Sequence, residues 1–351
     1  MKNREFVFVF GFIFLLFIGC SARTPSIDKP HAIAELTSIE IGDFEQWLLI
    51  RGEDLSNPIL LWLHGGPGAA QMPVHQAFNR DLESEFVVVH WDQRGAGKSN
   101  HSGFSEETMT LDRFIEDVHE MTQYLKERFG QEKIFLLGHS WGTQLGVLTV
   151  QRYPNDYHVF ISVAQVVHPQ RAEEISYEWL KKEVKDHGSN RQIRKFESLG
   201  SPPFDEHERH VTFAKMKDSF GGGIDVRMGR LARISFRAKE YTIGDYTKWL
   251  RGANRGSGPM WEELRDFDLF RDVPSIKIPV WFIVGSNDYN TPAVLIEEYY
   301  EFVQAHRGKE LNIMETLAHA PFFGDSDHFN GIITQIKKEV ISENNAKTSG
   351  H

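Results

Sequence analysis

Seven short runs rich in β-branched and aromatic residues recur along the chain: "WLLI" at 47–50, "ILLWLHG" at 59–65, "FVVVHWD" at 86–92, "KIFLLGHS" at 133–140, "VFISVAQ" at 159–165, "VWFIVGS" at 280–286 and "LNIME" at 311–315. Several are apolar without alternation. A strand that is apolar on both faces must be covered on both faces, as happens in a parallel sheet flanked by helices. Helical spacing lies between the runs. Apolar positions 111, 114, 115, 118, 121, 125 and 129 share one helix face, with Thr110 placed to cap it and Gly130 to stop it. Thr291-Pro292 has the N-cap and N1 order of another helix, and an amphipathic helix is predicted from about Phe329 to Ile341. The pattern predicts a mostly parallel, doubly wound α/β sheet.

Between His168 and Asp272 the alternation stops. This stretch is charged, contains Trp and Phe, and is broken by glycine at 221–223 ("GGG") and 251–258 ("RGANRGSG"). It reads as helices and loops at 168–272, inserted between two parts of a core at 36–167 and 273–341. A helical lid over a site has this arrangement, and a plain second domain would look the same. A chain of 351 residues can hold a large α/β domain with such an insertion. Its formal charge of −10, with no Lys/Arg-rich block to offset it, argues against a nucleic-acid partner.

The N-terminus stands apart from this core. Lys2 and Arg4 precede a 13-residue apolar run, Phe6 to Ile18, too short to span a bilayer and shaped like the hydrophobic region of a signal peptide at 1–19. Cys20, the only cysteine, follows directly, so no internal disulfide is possible. "FIGC" resembles a bacterial lipobox, although Phe17 stands where leucine is usual. The expectation is a lipidated Cys20, a polar tether at 20–35, and a flexible tail at 342–351. That places the chain on the bacterial cell envelope, anchored in a lipid bilayer and facing the periplasm or exterior. An ordinary cleaved signal with an incidental cysteine is the alternative.

"GHSWG", 138 to 142, sits between an apolar strand and the helical run "TQLGVLTVQRY". A serine between two glycines at a strand-to-helix turn is a nucleophile elbow, where the tight turn holds the hydroxyl out. Ser140 is the candidate nucleophile. Serine needs a base, and the base needs a carboxylate. Asp288 lies just past a strand end, whereas Asp245, Asp266, Asp268 and Asp272 lie in the insertion or at its exit. His319 follows the last predicted strand by a short loop and is preferred as base over His328, at the start of the final helix. An oxyanion needs two fixed amides. Trp141, next after the serine, offers one, and Gly66 in "LHGGPG" (63–68) the other. "GAGKS" at 95–99 mimics a phosphate-binding loop, but the required upstream glycine is Asp92, so the nucleotide reading fails. No HExxH or paired ligand cluster appears, and no metal or cofactor is expected.

"HGGPG" at 64–68, "DQRGAGKS" at 92–99, "GHSWG" at 138–142 and "GSNDYNTP" at 285–292 together resemble the prolyl iminopeptidase family of α/β-hydrolases. The resemblance covers about 40–165 and 275–340 and leaves the insertion unmatched. It implies the α/β-hydrolase fold with a helical lid, HGGPG as the oxyanion loop, and DQRG as a structural turn whose Asp92 and Arg94 pin the loop beside HGGPG. Two positions depart from the family pattern: His139, where glycine is common, and Ala318 before His319. That family reads a substrate's free ammonium with lid carboxylates, for which Glu173, Glu174, Glu262 and Glu263 are available here. The implied substrate is a small peptide with N-terminal proline or another small residue. A small acyl substrate, cleaved as by an esterase or lactonase, is the runner-up, and a catalytically silent binding lipoprotein is the reading from another class.

Overall fold

The structure, a computed structural model, describes residues 22–349. Cys20 and the apolar run before it lie outside the described residues. All seven apolar runs are strands of one eight-stranded sheet, in the order β1-β2-β4-β3-β5-β6-β7-β8. In chain order these are β1 (Ile33–Ile41), β2 (Phe44–Gly52), β3 (Ile59–Leu63), β4 (Val87–Asp92), β5 (Ile134–His139), β6 (Tyr157–Val163), β7 (Val280–Gly285) and β8 (Lys309–Met314). Only the β1–β2 and β2–β4 pairings are antiparallel. The extra strand, β1, carries no apolar run. It is an edge strand, half-exposed along most of its length, so no continuous hydrophobic stretch is needed there. It also begins inside the segment read as a tether.

Each central strand feeds two cores. Leu61 and Leu63 of β3 pack on one face, Leu60 and Trp62 on the other, and all four are buried. Burial of each such side chain is worth about 1.5–3 kcal/mol. One face is covered by α1 (Leu111–Phe129) and α2 (Trp141–Arg152), the other by the C-terminal α9 (Ser326–Ser349) through Phe329, Ile333 and Ile336. Helix α1 is bounded as its sequence predicts. Thr110 Oγ1 accepts from the Arg113 amide, and Gly130 ends the helix at φ 63°. Helix α9 runs farther than predicted at both ends, through the residues expected to fray.

Between β6 and β7 the chain leaves the sheet for α3 (Pro169–His187), α4 (Asn190–Glu197), α5 (His207–Ser219), α6 (Met228–Ser235) and α7 (Ile243–Arg255). Leu180, Val184, Phe196, Phe204 and Phe213 give this insertion a small core of its own. In the glycine-rich stretch 251–258 the break comes late, since α7 runs on to Arg255 and ends at Gly256, φ 49°. Its Gly252 packs on the HGGPG loop so closely that a Cβ on Gly68 would lie 2.3 Å from the Gly252 carbonyl oxygen. The segment read as a free tether is also tied down. Arg51 Nη1 donates to Thr24 Oγ1 and the Pro25 carbonyl, both at 2.6 Å, and the Arg23 amide donates to Lys239 O at 2.9 Å.

The stretch at 92–99 joins core to insertion. Buried Asp92 Oδ2 accepts from the Lys98 amide and from the Tyr241 hydroxyl, and Lys98 Nζ pairs with Asp245 at 2.7 Å. Arg94 ties this loop to neighbouring elements. It makes a paired contact with Asp117 of α1 at 2.8 and 2.9 Å and donates to the carbonyls of Ile41 and Gly42, pinning the β1–β2 turn. Gln93 is the residue that touches HGGPG (its amide donates to His64 Nε2 at 3.2 Å).

Burial pushes the Asp92 carboxyl up to about 7 against the opposing hydrogen bonds from Tyr241 and Lys98. Its Oδ1 has no partner among the described residues, leaving one oxygen free to hold the proton. Below about pH 4 both folded and unfolded chains hold that proton. Between about 4 and 7 only the folded chain keeps it, so stability falls as pH rises through this window. Asp92→Asn retains an acceptor for both donors and removes the titration. Urea unfolding at pH 5 and pH 8 should show the wild type losing about 3 kcal/mol more than the variant. Equal losses would show that Asp92 does not titrate there.

Candidate active site

Ser140 holds φ 54°, ψ −119° between β5 and α2, a backbone strained for a residue with a side chain. The flanking glycines allow it. A Cβ on Gly138 would meet the Gly142 carbonyl oxygen at 2.2 Å, and one on Gly142 would meet Leu63 O at 2.2 Å. The hydroxyl therefore stands at the C-terminal edge of the sheet. The loop after β7 brings Asp288 there, and the loop after β8 brings His319.

Ser140 Oγ lies 2.8 Å from His319 Nε2, and His319 Nδ1 lies 2.9 Å from Asp288 Oδ2. Asp288 is buried. Burial pushes its carboxyl up, but the charge and hydrogen bond of His319, with hydrogen bonds from Thr291, outweigh that and hold it below the usual range. An ionised Asp288 accepts from Nδ1–H, which leaves the His319 Nε2 lone pair facing the serine hydroxyl. Oδ1 accepts from the amides of Asn290 and Thr291 at 2.7 and 2.9 Å. The Thr291 hydroxyl, expected to cap the helix Ala293–Phe302 (α8), instead donates to Asp288 Oδ2 at 2.7 Å, and Pro292 takes the N-cap position.

The rival residues are elsewhere. His328 is exposed on the first turn of α9, Asp245 is engaged by Lys98, and Asp272 pairs with Arg271. Gly66 and Trp141 both line the cavity above Ser140. Trp141 is the first residue of α2, so its amide has no partner within the helix and the helix dipole favours negative charge beside it. Of the four candidate glutamates only Glu173 lines that cavity. Glu174, Glu262 and Glu263 are exposed, and Glu263 accepts from the Leu111 amide at the start of α1. The reason is helical phase: Glu174 is one position off the inward face of α3 that carries Ala172, Glu173 and Ser176.

Two supports of His319 are not readable from the sequence. Asp225, in the insertion, accepts from the amides of Ala318 and Ala320 on either side of His319, while the His319 amide donates to Gly223 O at 2.9 Å. From the core side, buried Trp62 donates to Gln71 Oε1 at 2.7 Å, which turns the Gln71 amide to donate to His139 Nδ1 at 2.9 Å. His139 Nε2–H must then donate to the His319 carbonyl, 2.9 Å away. Burial pulls His139 down to about 3, keeping it neutral for this role. Among the described residues no group of three or more His, Cys, Asp and Glu could hold a metal ion.

A probable aminopeptidase of Bacillus subtilis, YbaC, is 32% identical over 314 residues, 88% of this chain and 98% of that protein. The family model for serine aminopeptidases, S33, matches residues 57–201. The chain belongs to the S33 serine aminopeptidase family of α/β-hydrolases. A proline iminopeptidase of Saccharolobus solfataricus is 26% identical over 300 residues, 83% of this chain and 88% of that one. Among solved structures, a proline iminopeptidase of Mycobacterium smegmatis superposes with a TM-score of 0.61 at 17% identity, covering 87% of this chain and 98% of the other. At that identity the likeness speaks for the α/β-hydrolase fold alone, so activity within the S33 serine aminopeptidase family has to be argued from the site.

Proposed function

We propose that this S33 enzyme is an aminopeptidase that releases N-terminal proline or another small residue from short peptides by a Ser-His-Asp mechanism. Ser140 attacks the first peptide carbonyl, His319 takes the serine proton and returns it to the leaving amine, and Asp288 holds the imidazole. The amides of Gly66 and Trp141 receive the oxyanion, and water then releases the acyl group. The observation that carries this reading is the unbroken line Ser140 Oγ–His319 Nε2–Nδ1–Asp288 at the mouth of a cavity lined by buried Glu173. Helices α3 to α7 would act as a lid over that cavity. A panel of Pro- and Ala-arylamides, short aryl esters and lactones tests it. Faster turnover of the free-amine arylamides is the expected result, and lactones or esters dominating would move the assignment to lactonase or esterase.

We further propose that the mature chain is anchored through a lipidated Cys20 to the cell envelope, facing outward. The apolar run and lone cysteine support this, and so does the surface beside Arg23, three residues after Cys20. Arg23 is tied to Lys239, next to a helix with Arg227, Arg230 and Arg233 along one side and exposed Phe236 at its end. Among the described residues no helix is long and apolar enough to cross a membrane. Cys20→Ser should shift the protein from the membrane pellet to the soluble fraction or leave its precursor unprocessed. A wild-type mature mass without acyl groups would rule the anchor out.

A further inference from the structure

The cavity above Ser140 holds a cation that the proposed mechanism does not use. Lys217, on the last turns of α5, is 3% exposed and lines the cavity together with Ser140, Glu173 and His319. Its Nζ donates to the Tyr289 carbonyl at 2.7 Å and lies 4.8 Å from the centre of the Phe213 ring. It forms no ion pair with any described residue. Lys98, equally buried, is met by Asp245 at 2.7 Å. An ammonium has three N–H donors, and the protein engages one. Taking such a charge out of water without a counter-ion is costly, so a fold that keeps it there gains from a ligand that supplies the anion. The Tyr289 carbonyl has a second neighbour in Ser176 Oγ at 2.6 Å, whose single proton it shares with the Ala172 carbonyl, also at 2.6 Å. Burial pulls the ammonium down to about 8, which leaves it charged at neutral pH.

Three carboxylates act on Lys217 through space without pairing with it, Asp288 most strongly and then Glu173 and Asp218; of these Glu173 alone lines the cavity, its two oxygens engaged by His210 Nδ1 (2.7 Å) and the Phe204 amide (3.0 Å). The cavity therefore presents opposite charges held apart beside the serine. The complementary molecule is a zwitterion whose ammonium faces Glu173 and whose carboxylate faces Lys217. We propose that Lys217 is a carboxylate-binding residue of the substrate cavity, and that the preferred substrates are short zwitterionic peptides. The carboxylate is either the C-terminus of a dipeptide or the side chain of an acidic N-terminal residue. The proposal rests on the aminopeptidase reading for the position of the attacked carbonyl at Ser140.

Competition against hydrolysis of an aryl acetate tests it whether or not the competitor is cleaved. Two pairs are compared on the full chain: Ala-Ala against Ala-Ala-amide, and Glu-anilide against Gln-anilide. In the wild type the acid of at least one pair should bind about tenfold or more tighter than its amide, as a charge-assisted contact requires. The pair that shows it identifies the source of the carboxylate. Lys217→Gln retains a donor for Tyr289 and should bring the acid-to-amide ratio close to one, whereas Lys217→Arg should keep it. Because each ratio is taken within one protein, loss of folded material cancels, and the wild-type ratio stands even if the variant does not fold. Equal binding of acid and amide in both pairs, or a ratio that survives in Lys217→Gln, overturns the proposal. N-acetyl-Ala-Ala competing as well as Ala-Ala, with the acid preference intact, would instead remove the free-amine reading and leave Lys217 in its role.

Discussion

Ser140→Ala is expected to lower kcat by roughly 10⁶, and His319→Ala by a comparable factor, because nucleophile and base act as a unit and either loss leaves only binding and oxyanion stabilisation. Asp288→Asn should cost about 10⁴. Its amide would present N–H to a ring nitrogen that now donates, so the imidazole loses the tautomer that faces Ser140. The double variant Ser140→Ala/His319→Ala should be scarcely slower than either single one. Single-turnover rates on an activated aryl ester, with circular dichroism to show that each variant is folded, give the comparison. If His328→Ala abolished turnover while His319→Ala left it near the wild-type rate, the assignment of the base would be wrong. The exposed position of His328, 2.8 Å being instead the separation of His319 Nε2 from Ser140 Oγ, makes the opposite result the expected one.

The three residues of that experiment are legible in the sequence for a common reason. Each stands within a few positions of the C-terminal end of an apolar strand, so finding β5, β7 and β8 also finds Ser140, Asp288 and His319. Their supports follow no such rule. Asp225 meets the amides of Ala318 and Ala320 across more than ninety residues, and Gln71 reaches His139 across sixty-eight. No local periodicity encodes either contact. The insertion is the part read most coarsely. Its helices are short and pack on a small core of their own, so the exposure of Glu174, Glu262 and Glu263 depends on helical phase that a charged, glycine-interrupted stretch does not reveal. Edge strand β1 was missed on similar grounds, since a half-exposed strand has no need of an apolar run. Thr291 shows the same competition at a single residue, where a local capping preference yields to a buried carboxylate that needs its hydroxyl.

Glu173→Gln is expected to separate peptide-like from neutral substrates. An aminopeptidase holds a protonated amine at a fixed distance from the attacked carbonyl, and a buried carboxylate beside Ser140 is the group suited to hold it. Removing that charge leaves the ammonium without its partner, at about 2 to 5 kcal/mol, or roughly 30- to several-thousand-fold in kcat/KM for Pro- and Ala-arylamides. Glutamine keeps the volume and can still accept from the Phe204 amide, which Glu173 meets at 3.0 Å, so the fold around α3 should persist. Uncharged aryl esters should be largely spared, because they bring no ammonium to the cavity. N-acetylation of the arylamide should do similar damage in the wild type and little further damage in Glu173→Gln, since the two changes remove opposite ends of one interaction. Esters and arylamides falling together in the variant would mean that Glu173 serves its hydrogen bond with His210 and the shape of the cavity alone. N-blocked arylamides turned over as fast as free ones by the wild type would remove the ammonium from recognition altogether. In that case Ser140, His319 and Asp288 would keep their proposed roles on an esterase or lactonase substrate.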